Sequence, residues 1–157
     1  EGKTAALFSA ATQTGAMISS SNLEHIENFK CYGKAIGLSF QLIDDYLDYK
    51  GSPADMGKSI GDDFNNTKLT FPLISALKKG DSSEKKLIEN SLLKEPKDPE
   101  DLIKIIRIME KYKTLEETKT AARKWSSIAS KSLQKLPKND ITQLLGKVSE
   151  IIVQRSS

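Results

Sequence analysis

Apolar and polar positions follow the period of a helix along most of this chain. From Lys3 to about Ser20 the stretch "KTAALFSAATQTGAMISS" is dense in alanine, with Gly15 and only Leu7, Phe8, Met17 and Ile18 as larger apolar groups. Small residues on most sides predict a helix pressed closely between others. From Glu24 to Tyr49 the apolar positions Phe29, Tyr32, Ile36, Phe40, Ile43 and Leu47 recur every three or four residues, which predicts one long amphipathic helix. The period then breaks. Lys50 to Thr67, "KGSPADMGKSIGDDFNNT", carries three glycines and a proline among polar side chains and reads as a loop with one irregular turn. Connections of that length in a compact domain are often functional.

Helical patterns resume over Leu69 to Lys79, where Pro72 is tolerated only in a first turn, and over Ser83 to Lys94, with Gly80 marking the stop between them. In "KDPEDLIKIIRIMEKY", Asp98 is placed to cap, Pro99 to open the helix, and Leu102, Ile105, Ile106 and Met109 to form its buried stripe. Two further helices are predicted, Leu115 to Leu136 and Asp140 to about Arg155, separated by "PKND". No strand-like alternation is present. The expected fold is all-α, an antiparallel helix bundle in which residues 1–157 form a single domain.

Composition narrows the classes. The chain has 157 residues, 38% hydrophobic and 29% charged, the balance of a soluble helical protein and not of a disordered one. Lys plus Arg number 24 against 21 Asp plus Glu, but the cations are scattered, so the positive balance does not point to nucleic acid. No apolar run approaches the ~20 residues that span a bilayer. The single cysteine, Cys31, fits a reducing compartment and a cytoplasmic location, and its helical setting predicts core packing. The lone His25 is expected at the surface near a helix start.

Against this background "QLIDDYLDYKG", Gln41 to Gly51, is unusual, because it gathers Asp44, Asp45 and Asp48 in an otherwise apolar run. Helical projection places Gly37, Gln41, Asp44 and Asp48 in one narrow stripe, with Lys34 and Asp45 at its edges. Uncompensated carboxylates at such spacings oppose a helix by ~0.2–0.5 kcal/mol per pair. A hard cation reverses that sign. Mg²⁺ is commonly held by one or two carboxylates together with substrate phosphates. An isolated D-D-x-x-D is as readily a solvated helix face; the companions weigh against that here. Lys58, Asp62, Asp63 and Lys68 follow in the loop, Lys3 and Thr4 stand at the first helix, and Gly57 and Gly61 let a backbone approach a bulky anion. Calcium binding of the EF-hand kind is excluded by the acid spacing and the missing closing Glu.

Three segments in order, "GKTAALF" at Gly2 to Phe8, "GLSFQLIDDYLDYKG" at Gly37 to Gly51, and "GKSIGDDFNNTKLTFPLISAL" at Gly57 to Leu77, resemble the signature regions of the C-terminal half of trans-type polyprenyl diphosphate synthases. The resemblance implies a magnesium-dependent prenyltransferase that ionises an allylic diphosphate and joins the cation to isopentenyl diphosphate. By position, Asp44 would bind Mg²⁺, with Asp45, Asp48 and Asp63 completing or supporting the metal set. Lys3 and Lys58 would hold the allylic diphosphate, Lys58 and the three motif aspartates forming the catalytic group. Thr4 and Gln41 would lie near the developing cation, Phe40 on the isopentenyl side, and Lys68 with the cations that support substrate. The residues "LDY" and "GDDF" resemble octaprenyl or decaprenyl synthases more than farnesyl-making ones.

The family's first aspartate-rich motif, its paired arginines and its earlier isopentenyl-binding segment have no counterpart here. Together with the abrupt start at Glu1, this predicts the C-terminal half of a longer enzyme, inactive alone and homodimeric when whole. The rival expectations are a noncatalytic helical subunit of a heteromeric synthase and a terpene cyclase.

Overall fold

A computed structural model describes residues 4–19, 22–50 and 61–155. Among these residues the chain is helical, with no strand. The helices are α1 (Thr4–Ser19), α2 (Leu23–Lys50), α3 (Asp62–Asn65), α4 (Phe71–Lys79), α5 (Ser82–Leu93), α6 (Pro99–Lys111), α7 (Thr114–Leu133) and α8 (Asp140–Gln154). The expected all-α fold is therefore present, with each long element within a few residues of its predicted bounds. Of the expected loop from Lys50 to Thr67, residues 51–60 lie outside the described residues, and the irregular turn is the one-turn helix α3.

Two compact units divide the chain, Glu1–Ile43 with Thr120–Ser157, and Asp44–Lys119. In the first, α1 lies directly on α2. A Cβ at Gly33 would strike the backbone of Phe8, and one at Gly37 would come within 2.7 Å of the Ala5 Cα, so both glycines are spaces that the neighbouring backbone fills. Thr12 Oγ1 donates to Phe29 O at 2.7 Å and Ser9 Oγ to Lys30 O at 3.1 Å, tying the pair by side chain to backbone. Tyr32 and Ile36 of α2 are buried. The opposite side of α1 is different from expectation: Leu7, Met17 and Ile18 are exposed, so close packing holds on one face of the helix. Cys31 also departs from expectation. It is exposed, because its helical phase places it beside exposed Lys34 and away from Tyr32. His25 is half-buried near the start of α2.

In the second unit Tyr49, Phe64, Leu73, Ile88, Ile105, Met109 and Leu115 form the core that α4, α5 and α6 close over. The helix starts explain themselves. Asp81 accepts from Ser83 N and Glu84 N while Glu84 reaches back to Asp81 N, a complete capping box. Asp98 accepts from Glu100 N ahead of Pro99, as the sequence predicts. Lys97 ends α5 by donating its buried ammonium to Leu92 O and Lys94 O at 2.7 and 3.0 Å. No helix among the described residues is long and apolar enough to cross a membrane.

Candidate functional site

The aspartate-rich stretch occupies the last two turns of α2, inside the second unit. Its three carboxylates have different surroundings. Asp45 is buried and accepts the backbone N–H of Phe71 at 3.1 Å, so it caps the start of α4, whose own preceding residue Thr70 offers no side-chain cap. This suits the physics of a helix start, where unpaired N–H groups and the positive dipole end favour a carboxylate. Asp48 is half-buried, and its carboxylate accepts from Asp63 N at 3.1 Å while its backbone carbonyl accepts from Gly61 N at 2.9 Å. Asp44, half-buried, makes no hydrogen bond or ion pair with the described residues, although it shares the negative field around Asp48.

The segment after the loop is folded back by a turn whose bonds run from Thr67 N to Phe64 O and from Lys68 N to Asp63 O. That pair is a Schellman motif, with Thr67 in the left-handed position at φ 56° where glycine is usual. Lys68 is thereby returned over α3, and its ammonium donates to Asp63 Oδ1 at 2.7 Å. Gly61 adopts φ 81° beneath the Leu102 side chain, a conformation that L side chains rarely adopt.

Electrostatics follow from this crowding. Burial, chiefly, pushes the Asp48 carboxyl up to about 6, and the negative charges of Asp63, Asp62 and Asp44 add to it against the opposing bond from Asp63 N. The hydrogen bond from Lys68 to Asp63 holds the ammonium above its ordinary range. The sign of the stability effect is fixed by these directions. A carboxylate raised in the folded state binds its proton more tightly there than when unfolded, so stability is lost as pH rises from about 4 through about 6. Asp48→Asn, which keeps an acceptor for Asp63 N, is expected to melt higher than the parent at pH 7 in metal-free buffer. The difference should vanish toward about pH 4, below which the parent carboxyl is protonated in both states. Equal melting curves of the two proteins across that range would contradict the crowding described here.

Among the described residues no three of His, Cys, Asp and Glu form a group placed to hold a metal ion. Of the four expected metal carboxylates, Asp45, Asp48 and Asp63 each accept a hydrogen bond from the protein. Asp44 and Asp48 lie one helical turn apart as a half-buried pair, with Asp48 bonded through Oδ2. Their chemistry fits a hard divalent cation that takes its other ligands from water and phosphate.

The expected organic side lies in the first unit. Thr4 Oγ1 donates to Gln41 Oε1 at 3.2 Å. The rings of Phe8 and Phe40 are stacked with centroids 6.1 Å apart, and the guanidinium of Arg155 sits 5.5 Å from the Phe40 centroid. Sequence reasoning missed Arg155 because it stands at the far end of the chain, with no motif or spacing to tie it to Phe40. Lys3 and Lys58 lie outside the described residues.

Residues 1–109 match the polyprenyl synthetase family. Over 154 residues the chain is 33% identical to the octaprenyl diphosphate synthase of Escherichia coli (strain K12), covering 98% of this chain and 47% of that one. The crystal structure of a decaprenyl diphosphate synthase from Rhodobacter capsulatus superposes with a TM-score of 0.91 at 40% identity, covering 99% of this chain and 48% of that one. A polyprenyl synthase from Caulobacter crescentus CB15, solved with calcium and isoprenyl diphosphate, gives a TM-score of 0.88 at 31% identity, covering 99% and 47%. The chain thus spans about half the length of the curated relatives it matches.

Proposed function

Because the chain belongs to the polyprenyl synthetase family, we propose that it supplies the second aspartate-rich half of a polyprenyl diphosphate synthase. The reaction is the condensation of isopentenyl diphosphate with an allylic diphosphate. The observation that carries this reading is the half-buried pair Asp44 and Asp48, one helical turn apart, with Asp45 and Asp63 holding the structure around them.

In this reading Asp44 and Asp48 hold Mg²⁺, which when bound neutralises charge on the departing diphosphate. The binding of calcium and isoprenyl diphosphate by the Caulobacter relative supports it. Lys3 and Lys58 contact the same diphosphate, and Lys68 supports them from Asp63. Thr4 and Gln41 orient a polar edge toward the allylic cation. Phe40, stacked on Phe8 and faced by the Arg155 guanidinium, lines the isopentenyl side as an aromatic wall that keeps water out. The likeness to octaprenyl and decaprenyl synthases supports a long-chain product, and the composition and family resemblance support a cytoplasmic homodimer.

One pair of carboxylates is half of what a diphosphate clamp with facing metal sites requires. The chain incubated alone with Mg²⁺, isopentenyl diphosphate and an allylic diphosphate is therefore expected to form no product. Co-expression with the complementary half of a relative should restore it. Turnover by the chain alone, followed with radiolabelled isopentenyl diphosphate, would overturn the half-site.

A further inference from the structure

The cations that look scattered in the sequence are gathered on one helix. Of the 24 Lys and Arg, six stand between Thr118 and Asn139, where there is no Asp or Glu, which leaves 18 against all 21 acids elsewhere. The positive balance therefore belongs to α7 and the turn that follows it. Two of the six have local company: Lys119 lies over the Tyr46 ring in the second unit, and Arg123 shares a shallow cleft with Glu150 of α8 in the first. Lys124, Lys131 and Lys135 differ. At 3.6 residues per turn they fall within about 40° of one another along about 16 Å of helix, Lys135 standing in the turn that continues α7.

This stripe lies opposite the buried Ala122, Ala129 and Leu133 of the same helix, and Lys138 is exposed just beyond its end. All four lysines are exposed, and none makes an ion pair with the described residues. In the second unit, by contrast, Lys68, Lys79, Lys94 and Lys111 are each held by a carboxylate at 2.7–2.9 Å. Lys131 and Lys135, one turn apart, repel each other. The helix dipole favours cations in a last turn, which accounts for those two but not for Lys124 in mid-helix or Lys138 past the end. The exposed neighbours Thr120, Ser127 and Gln134 are polar and uncharged, and Ile128 on the same side is half-buried. A contact made here is electrostatic and superficial.

Unpaired ammonium groups do not suit a face that protein would bury, because stripping their water without a partner is costly. An anionic surface compensates them while they stay wet. Lysines on flexible stems adapt to mobile headgroups, whereas the stripe has neither the Arg forks nor the exposed aromatics that read nucleic acid. The product of the reaction proposed above is a long hydrocarbon chain, and a bilayer is the phase that accepts it. We propose that the stripe of Lys124, Lys131, Lys135 and Lys138 docks this chain peripherally on the anionic headgroups of a lipid bilayer. In taking lipid as the partner, the proposal rests on the prenyl-transfer reading.

The test mixes the chain, without substrate or metal, with vesicles of phosphatidylcholine alone or of phosphatidylcholine with phosphatidylglycerol, and measures co-sedimentation. The parent should bind only the vesicles with phosphatidylglycerol, and should be released as salt rises from about 0.05 M to about 0.5 M. Each lysine near an anionic leaflet strengthens binding about fivefold, so Lys124→Gln with Lys131→Gln should weaken it about 25-fold, and all four changed to Gln on the order of 10²-fold or more. These variants should melt at or above the parent, since they relieve repulsion. Lys78→Gln with Lys86→Gln removes the same charge from exposed positions in the second unit and should bind as the parent does. No binding by the parent, equal binding to both kinds of vesicle, undiminished binding by the fourfold variant, or equal loss in the two double variants overturns the proposal. So does release from the vesicles by duplex DNA or RNA at a lower phosphate concentration than the lipid, which would assign the stripe to nucleic acid. Salt-sensitive docking by a chain whose assembled enzyme makes no polyprenyl product would count against the catalytic reading and leave the docking surface intact.

Discussion

Asp44→Ala in the assembled enzyme is expected to lower prenyl transfer by roughly 10²–10³-fold or more, the scale on which one preorganised charge-stabilising group acts. The melting temperature of the same variant should stay at the parent value or rise. Asp44 makes no bond with the described residues that its removal would break, and it contributes repulsion to Asp48. Loss of rate with retained stability separates a group that meets the metal from one that holds a helix. Near-normal turnover in a steady-state assay with saturating Mg²⁺ would sink the assignment. A large fall in melting temperature would show instead that Asp44 is structural.

Gly37→Ala carries the second large effect, and its sign is set by competition. In an open helix interior the change from glycine to alanine stabilises by about 1 kcal/mol. At Gly37 the new methyl would lie 2.7 Å from the Ala5 Cα and 3.2 Å from the Phe8 Cβ, and the first of these is backbone that cannot swing aside. Overpacking of this kind costs about 1–3 kcal/mol. The net expectation is a loss of stability in urea unfolding, together with loss of the 3.2 Å bond between Thr4 and Gln41 as the first turn of α1 is pushed off α2. Gly146→Ala is the matched comparison. Nothing lies within 4 Å of its new methyl, so it should raise the unfolding midpoint. A stabilised Gly37→Ala would mean that α1 does not approach α2 as closely as described.

The helices were legible because period and caps are local properties of the chain. Asp98 with Pro99, and the Leu102 to Met109 stripe, are written within a dozen consecutive residues, and the structure keeps them. What the sequence hid depends on partners far along the chain. The cap that Asp45 forms was hidden because the N–H of Phe71 is 26 residues away and is backbone, which no side-chain pattern reports. The orientation of α8 was hidden for a related reason. Projection finds its apolar positions but cannot see that Thr142 and Ser149 satisfy themselves on nearby carbonyls and so become free to face inward. Cys31 was misread because one helical step separates it from buried Tyr32. The paired Asp44 and Asp48 were legible as a stripe, whereas the raised proton affinity of Asp48 needed the burial and the Asp63 backbone to be known.

The cap that Asp45 places on α4 bears on which spellings of the motif can persist. Asparagine offers Phe71 N–H the same carbonyl lone pair, so a chain reading D-N-x-x-D would keep that cap, and Asn at Asp48 would likewise keep its acceptor for Asp63 N. At Asp44 and Asp48, the pair proposed to hold the metal ion, the negative charge itself is the requirement. The three identical letters would thus be held under different selective pressures, and drift among homologous chains should wear away the middle letter before either outer one.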